Sequence, residues 1–434
     1  MPTMREEIER RRTFAIISHP DAGKTTLTEK LLLYGGAIQT AGSVKGKQSA
    51  KHAVSDWMDI EKQRGISVTS SVLQFQYDGK CINILDTPGH QDFSEDTYRT
   101  LMAADSAVMV IDAAKGVEAQ TIKLFKVCTL RHIPIFTFIN KMDREARDPF
   151  ELMENIEEIL GIKTYPMNWP IGSGKQFKGV FDRKARRVLA FSSDGRANGV
   201  RRVSEVEAEL GAEALDGLIG AQNHQKLSDD IELLDGAAEE FDLDAVHHGR
   251  LSPVFFGSAL TNFGVEPFLK EFLRLTPIPM PRPDALTGTP VDPCSDNFTG
   301  FIFKIQANMN KNHRDRIAFL RICSGKFERG MEAFHVQEDK PIKLATGTSL
   351  MADDRAIVSE AYAGDIIGLF DPGIFSIGDT LCTGKPHVRF AGIPTFAPEH
   401  FARITQVDTM KRKQFVKGME QIAQEGAIQI FRDL

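Results

Sequence analysis

The chain has 434 residues, of which 42% are hydrophobic and 26% charged, and this length favours about two to four domains. Its formal net charge of −6 argues against a protein that binds nucleic acid through an overall positive charge. The five cysteines lie far apart without a C-x-x-C pair, so neither a disulfide framework nor a zinc site is predicted.

The first residues do not predict secretion or membrane insertion. Residues 4–12 are strongly charged, and the apolar run at 14–17 is only as long as a strand. No window reaches the roughly 18 apolar residues of a membrane span. We therefore expect a cytoplasmic protein that has no membrane partner.

From residue 13 to residue 274, short apolar segments alternate with helical patterns. This alternation is typical of an α/β domain in which helices cover both faces of a parallel sheet, and we assign residues 1–275 to it. The predicted strands are residues 14–18, 81–86, 107–112, 133–140 and 254–258. A strand-helix unit needs only about 30 residues, so the long interval before the last strand predicts an inserted subdomain at about 164–250. We expect strands at 177–182 and 187–191, followed by acidic helices.

The first predicted strand leads into a loop of the phosphate-binding type. The loop reads Ser18-His19-Pro20-Asp21-Ala22-Gly23-Lys24-Thr25-Thr26, with serine where the motif G-x-x-x-x-G-K-[ST] has its first glycine. Because a helix is predicted over 26–33, the backbone N–H groups of the loop can face a β-phosphate. Lys24 would neutralise the β- and γ-phosphates, and the Thr25 hydroxyl would bind Mg²⁺. Taken alone, the pattern also fits an ordinary loop lysine before a helix.

A second polar segment, Asp86-Thr87-Pro88-Gly89-His90, follows the second of these strands. Asp86 can reach a metal ion through water, and the Gly89 N–H can meet a γ-phosphate. Taken alone, the same residues would also suit a helix cap.

Two later segments predict the base that is recognised. They are Asn140-Lys141-Met142-Asp143 and Ser258-Ala259-Leu260. The Asp143 carboxylate can accept hydrogen bonds from guanine N1–H and the exocyclic amine, and a site that uses such bonds rejects an analogue without them by roughly 10⁴ or more. A backbone N–H of the later segment can reach guanine O6. Since all four segments follow strands, where open α/β sheets bind ligands, the sequence predicts a GTPase that binds GTP and GDP.

A proline-rich stretch begins at residue 276 and predicts a linker over 276–295, because proline fixes φ and lacks an N–H donor. The alternating segments 301–305 and 317–322, with glycine-bearing turns, predict a small β-barrel over 296–395. Residues 396–434 hold a strand-like segment at 401–407 and a helix-like segment at 410–425. We expect them to be the start of a third α+β domain that is incomplete in this chain.

Charge is distributed unevenly between these regions. Residues 204–244 hold 13 acidic residues and one lysine, whereas residues 300–345 hold nine Lys or Arg and five Asp or Glu. In the barrel, Lys311, Arg314 and Arg316 are candidates for contacts with RNA phosphates. The alternative is a solvated barrel loop. The acidic helices would repel RNA, so a partner there should be a protein.

The combination of motifs resembles the translation-factor GTPases. It consists of Asp21 with Gly23-Lys24-Thr25, Arg64-Gly65-Ile66, and the segments that end at His90 and Asp143. Within these factors, residues 55–67, 171–180 and 306–316 are similar to the bacterial class II release factors. The resemblance implies a P-loop GTPase domain followed by a translation-factor β-barrel, with GTP or GDP and Mg²⁺ as ligands.

The resemblance also implies roles for particular residues. His90 would order the attacking water, and Ser67, where the family has threonine, would bind Mg²⁺ with Thr25 and Asp86. The implied protein is a ribosome-stimulated monomer that promotes departure of class I release factors after termination and does not bind DNA.

Two alternatives stay open. A translocase-type elongation factor shares the first two domains but has further C-terminal domains, for which we expect no room in 434 residues. A regulatory GTPase that acts away from the ribosome would not need the β-barrel.

Overall fold

The computed structural model describes residues 2–38, 71–88, 94–192, 196–197, 200–201, 204–210, 212, 215–237, 240–307, 316–345, 347–351, 354–393, 401–426 and 428–431. The helices are α1 (Met4–Glu9), α2 (Lys24–Tyr34), α3 (Ser94–Leu101), α4 (Ala119–Leu130), α5 (Pro149–Leu160), α6 (Leu215–Ile219), α7 (Ala221–Ala237), α8 (Leu243–His247), α9 (Val265–Leu275) and α10 (Arg412–Gln424). Single 3-10 turns lie at Gly174–Gln176 and Thr409–Lys411.

The strands up to the linker are β1 (Arg11–Ser18), β2 (Ser71–Tyr77), β3 (Lys80–Asp86), β4 (Ser106–Asp112), β5 (Ile135–Asn140), β6 (Lys163–Pro166), β7 (Asn168–Ile171), β8 (Gly179–Asp182), β9 (Arg187–Ser192), β10 (Arg196–Ala197), β11 (Val200–Arg201), β12 (Ser204–Glu209) and β13 (Leu251–Phe256). The later strands are β14 (Arg282–Pro283), β15 (Pro290–Val291), β16 (Thr299–Ala307), β17 (Arg316–Ser324), β18 (Lys326–Glu328), β19 (Glu332–His335), β20 (Lys340–Lys343), β21 (Gly347–Met351), β22 (Asp354–Val358), β23 (Glu360–Tyr362), β24 (Ile366–Phe370) and β25 (Thr380–Cys382).

The first domain is built on a mostly parallel sheet with the strand order β2-β3-β1-β4-β5-β13-β6. Only β2 runs antiparallel to its neighbour β3. Alternate residues of β1 point to opposite faces: Phe14 and Ile16 belong to the core beneath α2, and Ala15 and Ile17 to the core beneath α4. This two-faced burial confirms the predicted α/β class and explains why β1 is apolar throughout.

Each of the five strands predicted in this domain is present, with shifted ends. Helix α2 begins at Lys24, two residues before the predicted start, because Gly23 takes a left-handed φ of 96° and forms its N-cap. Strand β13 ends at Phe256, and Ser258 then forms an isolated bridge with Phe263. The earlier start of α2 places Thr25 and Thr26 in its first turn.

The predicted insertion contains a separate antiparallel sheet, in the order β12-β9-β8-β7, and the helices α6, α7 and α8. Strand β6 lies at the start of the predicted 164–250 range but pairs in parallel with β13, so it belongs to the main sheet. Trp169 is fully buried and its indole N–H donates to Asp230 at 3.0 Å. Trp169 is therefore a packing residue of this subdomain, fixed in place by its hydrogen bond.

The second domain is the predicted barrel, in which antiparallel β16, β17, β24 and β21 are successive neighbours. Its core includes Phe298, Ile302, Leu320 and Leu381. Leu73 of β2 pairs with Met351 of β21, so the barrel continues the sheet of the first domain.

The barrel docks through a buried polar interface on the amino-terminal edge of the main sheet. Arg321 of β17 donates to Asp105 at 2.5 Å and to the Gly364 carbonyl at 2.7 Å, and both charged side chains are almost completely buried. Thr13 of β1 donates to the same carbonyl at 2.6 Å. Asp365 accepts from Arg11 at 2.7 Å. We call this set of contacts the docking seam.

The docking seam extends along the next strands. Asn83 of β3 points its amide at Gly364 and Asp365, and Gln74 of β2 donates to the Ile366 carbonyl at 2.9 Å. Gly364 has a φ of 104°, and a Cβ there would approach Pro279 within 2.6 Å and Arg11 within 2.9 Å. Only glycine therefore fits this close approach of the two domains.

Two predictions for the C-terminal half are wrong. Residues 401–407 form no strand, and Phe401 and Val407 are 77% and 99% exposed, because no described neighbour supplies the ladder that a strand requires. Arg316 is not an exposed RNA contact: it is buried, pairs with Asp371 at 2.7 Å and donates to the Phe375 carbonyl. Lys311 and Arg314 lie outside the described residues. The predicted helix at 410–425 is present as α10.

Within the described part of the chain, no helix has the length and apolar character needed to cross a membrane.

Candidate guanine nucleotide site

The phosphate-binding loop runs from the end of β1 into the first turn of α2. The Ala22 N–H donates to the His19 carbonyl at 3.2 Å, and Asp21 has a φ of 65°. A Cβ on Gly23 would collide with the Asn140 side chain. Glycine is therefore required at position 23, both by its left-handed φ and by the nearby Asn140 side chain. The loop leads into the N-terminus of α2, and a helix N-terminus favours bound anions.

Ser18 replaces the first glycine of the motif without strain. Its side chain is 1% exposed, and its hydroxyl donates to the His19 carbonyl at 2.9 Å. The buried Ser18 hydroxyl therefore has a hydrogen-bond partner within the loop, as buried polar groups normally do.

Lys24 and Asp86 connect two of the predicted segments. The Lys24 Nζ lies 2.5 Å from Asp86 Oδ1, and the side chains are 6% and 2% exposed. Thr28 Oγ1 of α2 lies 3.4 Å from the same carboxylate oxygen. The ammonium compensates the buried carboxylate, and both groups stand where a phosphate and its metal ion would meet the end of β3.

Thr87 and Pro88 continue the chain after Asp86. The buried Thr87 hydroxyl donates to the Ile16 carbonyl at 2.7 Å and so ties the end of β3 to β1. The Pro88 carbonyl accepts from Thr97 of α3 at 3.2 Å. Gly89 and His90 lie outside the described residues, as does Ser67, so their predicted roles stay predictions.

Asn140 joins the phosphate-binding loop to the later loop. Its amide nitrogen donates to the Ala22 carbonyl at 2.9 Å, and its amide oxygen accepts from the Ala259 N–H at 2.9 Å and the Lys141 N–H at 2.8 Å. Asn140 is 1% exposed. Its role in the described structure is to hold together the two loops that would surround the nucleotide.

Lys141 lies over the phosphate-binding loop. Its Nζ donates to the Asp21 carbonyl and forms an ion pair with Asp112 at 2.7 Å. Burial by itself raises the pKa of Asp112, but the Lys141 hydrogen bond, the Ala114 N–H and the Lys141 charge together hold that pKa below its usual value. Asp112 is therefore a charged anchor for Lys141 at neutral pH.

The predicted base-recognition residues also meet. The Ser258 hydroxyl donates to Asp143 Oδ1 at 2.5 Å, which joins the carboxylate to the later loop. The Met142 side chain and Ala259 are buried, whereas Leu260 is 63% exposed. The Ser258 N–H donates to the Phe263 carbonyl at 2.9 Å, which fixes the turn that carries the triplet.

Hard oxygen donors are the only protein ligands predicted for a magnesium ion here. The Thr25 hydroxyl and the Asp86 carboxylate suit Mg²⁺, which binds through one or two protein oxygens plus substrate phosphates. The described residues contain no group of three His, Cys, Asp or Glu side chains that could hold a metal by themselves. The donor set thus fits a metal that arrives with a nucleotide rather than one bound by a protein cage.

The sequence did not reveal several residues that shape the site. Asp112 ends β4 as Asp86 ends β3, so the strand-end pattern was a usable signal for it. Thr28 and Glu118 had no such signal, because their contacts with Asp86 and His19 depend on the packing of α2 and α4.

Comparisons with known proteins identify the family of this chain. Residues 9–278 match the Elongation factor Tu GTP binding domain, residues 297–384 match Elongation factor G domain 2, and residues 390–434 match the C-terminal domain of Class II release factor RF3. A Symbiobacterium thermophilum protein named Peptide chain release factor 3 is 62% identical, over 99% of this chain and 81% of the relative. The chain belongs to the peptide chain release factor 3 family.

Another curated protein and a solved structure are also similar to this chain. A Gloeobacter violaceus protein with the same name is 56% identical, over 99% of this chain and 80% of its own length. A crystal structure from Thermus thermophilus has a TM-score of 0.73 and 24% identity, and the match covers 98% of this chain and 62% of that one. At this identity the structure shows the shared fold alone.

Membership in the peptide chain release factor 3 family establishes the general activity. The chain is a translation-factor GTPase that binds guanine nucleotides and acts in translation termination. The family assignment decides against a translocase-type elongation factor and against a regulatory GTPase that acts away from the ribosome.

Proposed function

We propose that this protein uses ribosome-stimulated GTP hydrolysis to promote the dissociation of class I release factors from the ribosome after peptide release. The observation that carries the proposal is the convergence of Lys24, Asp86, Asn140 and Asp143 at the carboxyl ends of parallel strands. Family membership supports the termination step. The protein would work as a cytoplasmic monomer.

The described residues suggest how GTP is held. The helix N-terminus at Lys24 and the backbone of the loop bind the phosphates, and the Asp143 carboxylate, oriented by Ser258, selects guanine. On GTP binding, the Lys24 ammonium moves from Asp86 to the β- and γ-phosphates. That movement would free Asp86 for the metal shell. Thr25, Ser67 and Asp86 would hold Mg²⁺, which would supply positive charge to the phosphates.

His90 is the proposed catalytic residue, and Gly89 the proposed donor to the γ-phosphate. His90 would orient the attacking water, the task that glutamine performs in other GTPases. Unstimulated hydrolysis should be slow, because activation from outside is worth about 10³ to 10⁵ in this class of reaction. The ribosome is the proposed activator.

Helix α3 offers a route from the nucleotide to the other modules. It follows the Asp86–His90 segment and is tied to Pro88 through Thr97. Its Asp96 lies 3.5 Å from Lys304 of the barrel, and its Arg99 donates to the Gly426 carbonyl after α10 at 2.9 Å. A change in α3 when the γ-phosphate leaves would therefore reach both modules, which supports a switch that changes the docking of the barrel.

The test is the dissociation rate of a fluorescently labelled class I release factor from post-termination ribosomes. We expect GTP-bound protein to accelerate dissociation, and GDP-bound protein to do so far less. No acceleration by a protein whose GTPase is stimulated by ribosomes would contradict the recycling role and leave only the GTPase assignment.

His90→Ala should abolish ribosome-stimulated hydrolysis and leave the dissociation constants for GTP and GDP within about threefold of wild type. The reason is that an oriented water affects the transition state and not ground-state binding. A large loss of nucleotide affinity would instead assign His90 a binding or structural role. Stimulated turnover and nucleotide affinity are measured on the same preparation.

A further inference from the structure

Gln120, the second residue of α4, is a buried polar group that the described structure leaves unsatisfied. Its exposure is 0%, and neither its amide nitrogen nor its amide oxygen has a hydrogen-bond partner within the described part of the chain. Burial of an amide without hydrogen-bond partners is unfavourable. A leucine would avoid this cost. The presence of glutamine therefore indicates that its amide forms a hydrogen bond in another state of the protein.

His19 of the phosphate-binding loop is the second unsatisfied group in this region. Its Nε2 lies 3.4 Å from the carboxylate of Glu118, which is the N-cap of α4 and only two residues before Gln120. Its other ring nitrogen, Nδ1, is buried and has no partner among the described residues. The His19–Glu118 contact thus brings the loop and the start of α4 together and leaves one ring nitrogen unused.

The two groups are chemically complementary. A neutral imidazole that donates its Nε2–H to the Glu118 carboxylate has an acceptor at Nδ1. The Gln120 amide nitrogen is a donor. One hydrogen bond from Gln120 to His19 Nδ1 would satisfy an unpaired atom on each side.

We propose that Gln120 is a positioning residue for the phosphate-binding loop, and that its amide donates to His19 Nδ1 when a nucleotide occupies the loop. The proposal rests on the nucleotide site described above and deepens it. His19 precedes Pro20 and Asp21, so holding its ring from α4 fixes the backbone that turns its N–H groups toward the phosphates. Gln120 contacts no nucleotide and acts through His19.

The test is Gln120→Leu, which keeps similar volume and removes both polar atoms. We expect the nucleotide-free variant to unfold at a higher temperature than wild type, because no unsatisfied amide is buried. We expect its dissociation constant for GDP to rise about tenfold, which corresponds to one lost hydrogen bond of about 1.4 kcal/mol. A substitution at a residue with a merely structural role would not raise the unfolding temperature and at the same time weaken GDP binding. Gln120→Met serves the same purpose if the leucine variant fails to fold.

A double-mutant cycle with His19→Phe tests the partner. We expect the double variant to bind GDP no more weakly than His19→Phe alone, because both changes remove the same hydrogen bond. Additive losses would overturn the pairing. Unchanged GDP affinity in Gln120→Leu would overturn the proposal and indicate that the amide binds only buried water.

Thr100→Val is the matched control. Thr100 of α3 is also fully buried, and its hydroxyl also has no partner within the described residues. We expect this isosteric change to leave the GDP dissociation constant within about twofold of wild type. An equal loss in both variants would overturn the specific role of Gln120. Failure of wild type to bind GDP would instead refute the nucleotide site itself.

Discussion

The two edges of the main sheet use buried polar groups in different ways. At the amino-terminal edge, Thr13 and Asp105 bind the barrel through Gly364 and Arg321. At the carboxyl-terminal edge, polar side chains hold loops around a nucleotide site, and Gln120 has no partner within the described residues.

The two edges differ in what pairs with their buried polar groups. The docking seam is completed by residues of the same chain, so a change there leaves a buried group unpaired and should reduce stability. The nucleotide edge is completed by a ligand, so a change there should reduce binding more than stability. Four predictions test this contrast.

The largest expected effect is a change of base preference. Asp143→Asn should shift preference from guanine toward xanthine nucleotides by roughly 10⁴, because the paired donors of guanine then face an amide and not a carboxylate. The Ser258 hydroxyl can still donate to the remaining carbonyl oxygen. Dissociation constants for GDP and xanthosine diphosphate provide the measurement.

Asp148→Asn is the matched control, since Asp148 caps α5 by accepting from the Phe150 N–H and lies outside the site. It should leave the preference unchanged. Retained guanine preference in Asp143→Asn would mean that another group recognises the base.

The next largest effect is on stability. Asp105→Ala should lower the free energy of unfolding by about 3–5 kcal/mol, because it leaves the Arg321 guanidinium buried without its counter-ion. Urea denaturation at neutral pH measures the loss. GDP affinity of the folded variant should stay close to wild type.

A double variant distinguishes the unpaired charge from lost packing. Asp105→Ala combined with Arg321→Met should recover much of the lost stability, because the Arg321 charge is no longer buried without its partner. If the double variant is as unstable as Asp105→Ala, the docking seam acts through packing and the contrast between the edges weakens.

Asn140→Ala should affect both properties. It leaves the Ala22 carbonyl and the Ala259 N–H without their partner, at about 1–3 kcal/mol for each buried group. Since these groups belong to the loops around the nucleotide, we expect GDP affinity to fall about 100-fold. Isothermal titration measures this loss.

Asn83→Ala is its counterpart at the opposite edge. Asn83 is also buried, but its amide faces Thr13, Gly364 and Asp365. It should reduce stability and leave GDP affinity unchanged. Equal effects of the two asparagine variants on GDP binding would remove the distinction between the edges.

The smallest effect concerns pH. Because the pKa of Asp112 in the folded protein lies below its ordinary value of 3.8, the carboxylate contributes stability above about pH 4. That contribution is lost as pH falls below 3.8 through the folded-state pKa. Asp112→Asn should therefore be less stable than wild type at pH 7, and the difference in unfolding free energy should shrink below about pH 4. A difference that does not depend on pH would exclude the Lys141 pair as its cause.

Much of the first domain could be predicted because its signals are local. A buried strand such as β1 or β5 is apolar over its whole length, and the polar residues that follow it, Ser18 to Lys24 and Asn140 to Asp143, lie at the strand end in the sequence as in the fold. The prediction at 401–407 failed because an apolar alternation specifies a strand only when a neighbouring strand accepts its hydrogen bonds.

Sequence by itself determined which segments carry nucleotide chemistry, since the order of residues around Lys24, Asp86 and Asp143 is set along the chain. It also determined the family. Only the tertiary structure decided that Arg316 is a buried ion-pair partner of Asp371, that Arg321 meets Asp105, and that Asn140 ties two loops together. Those roles depend on which distant group faces each side chain after packing, and the residue types alone do not carry that information.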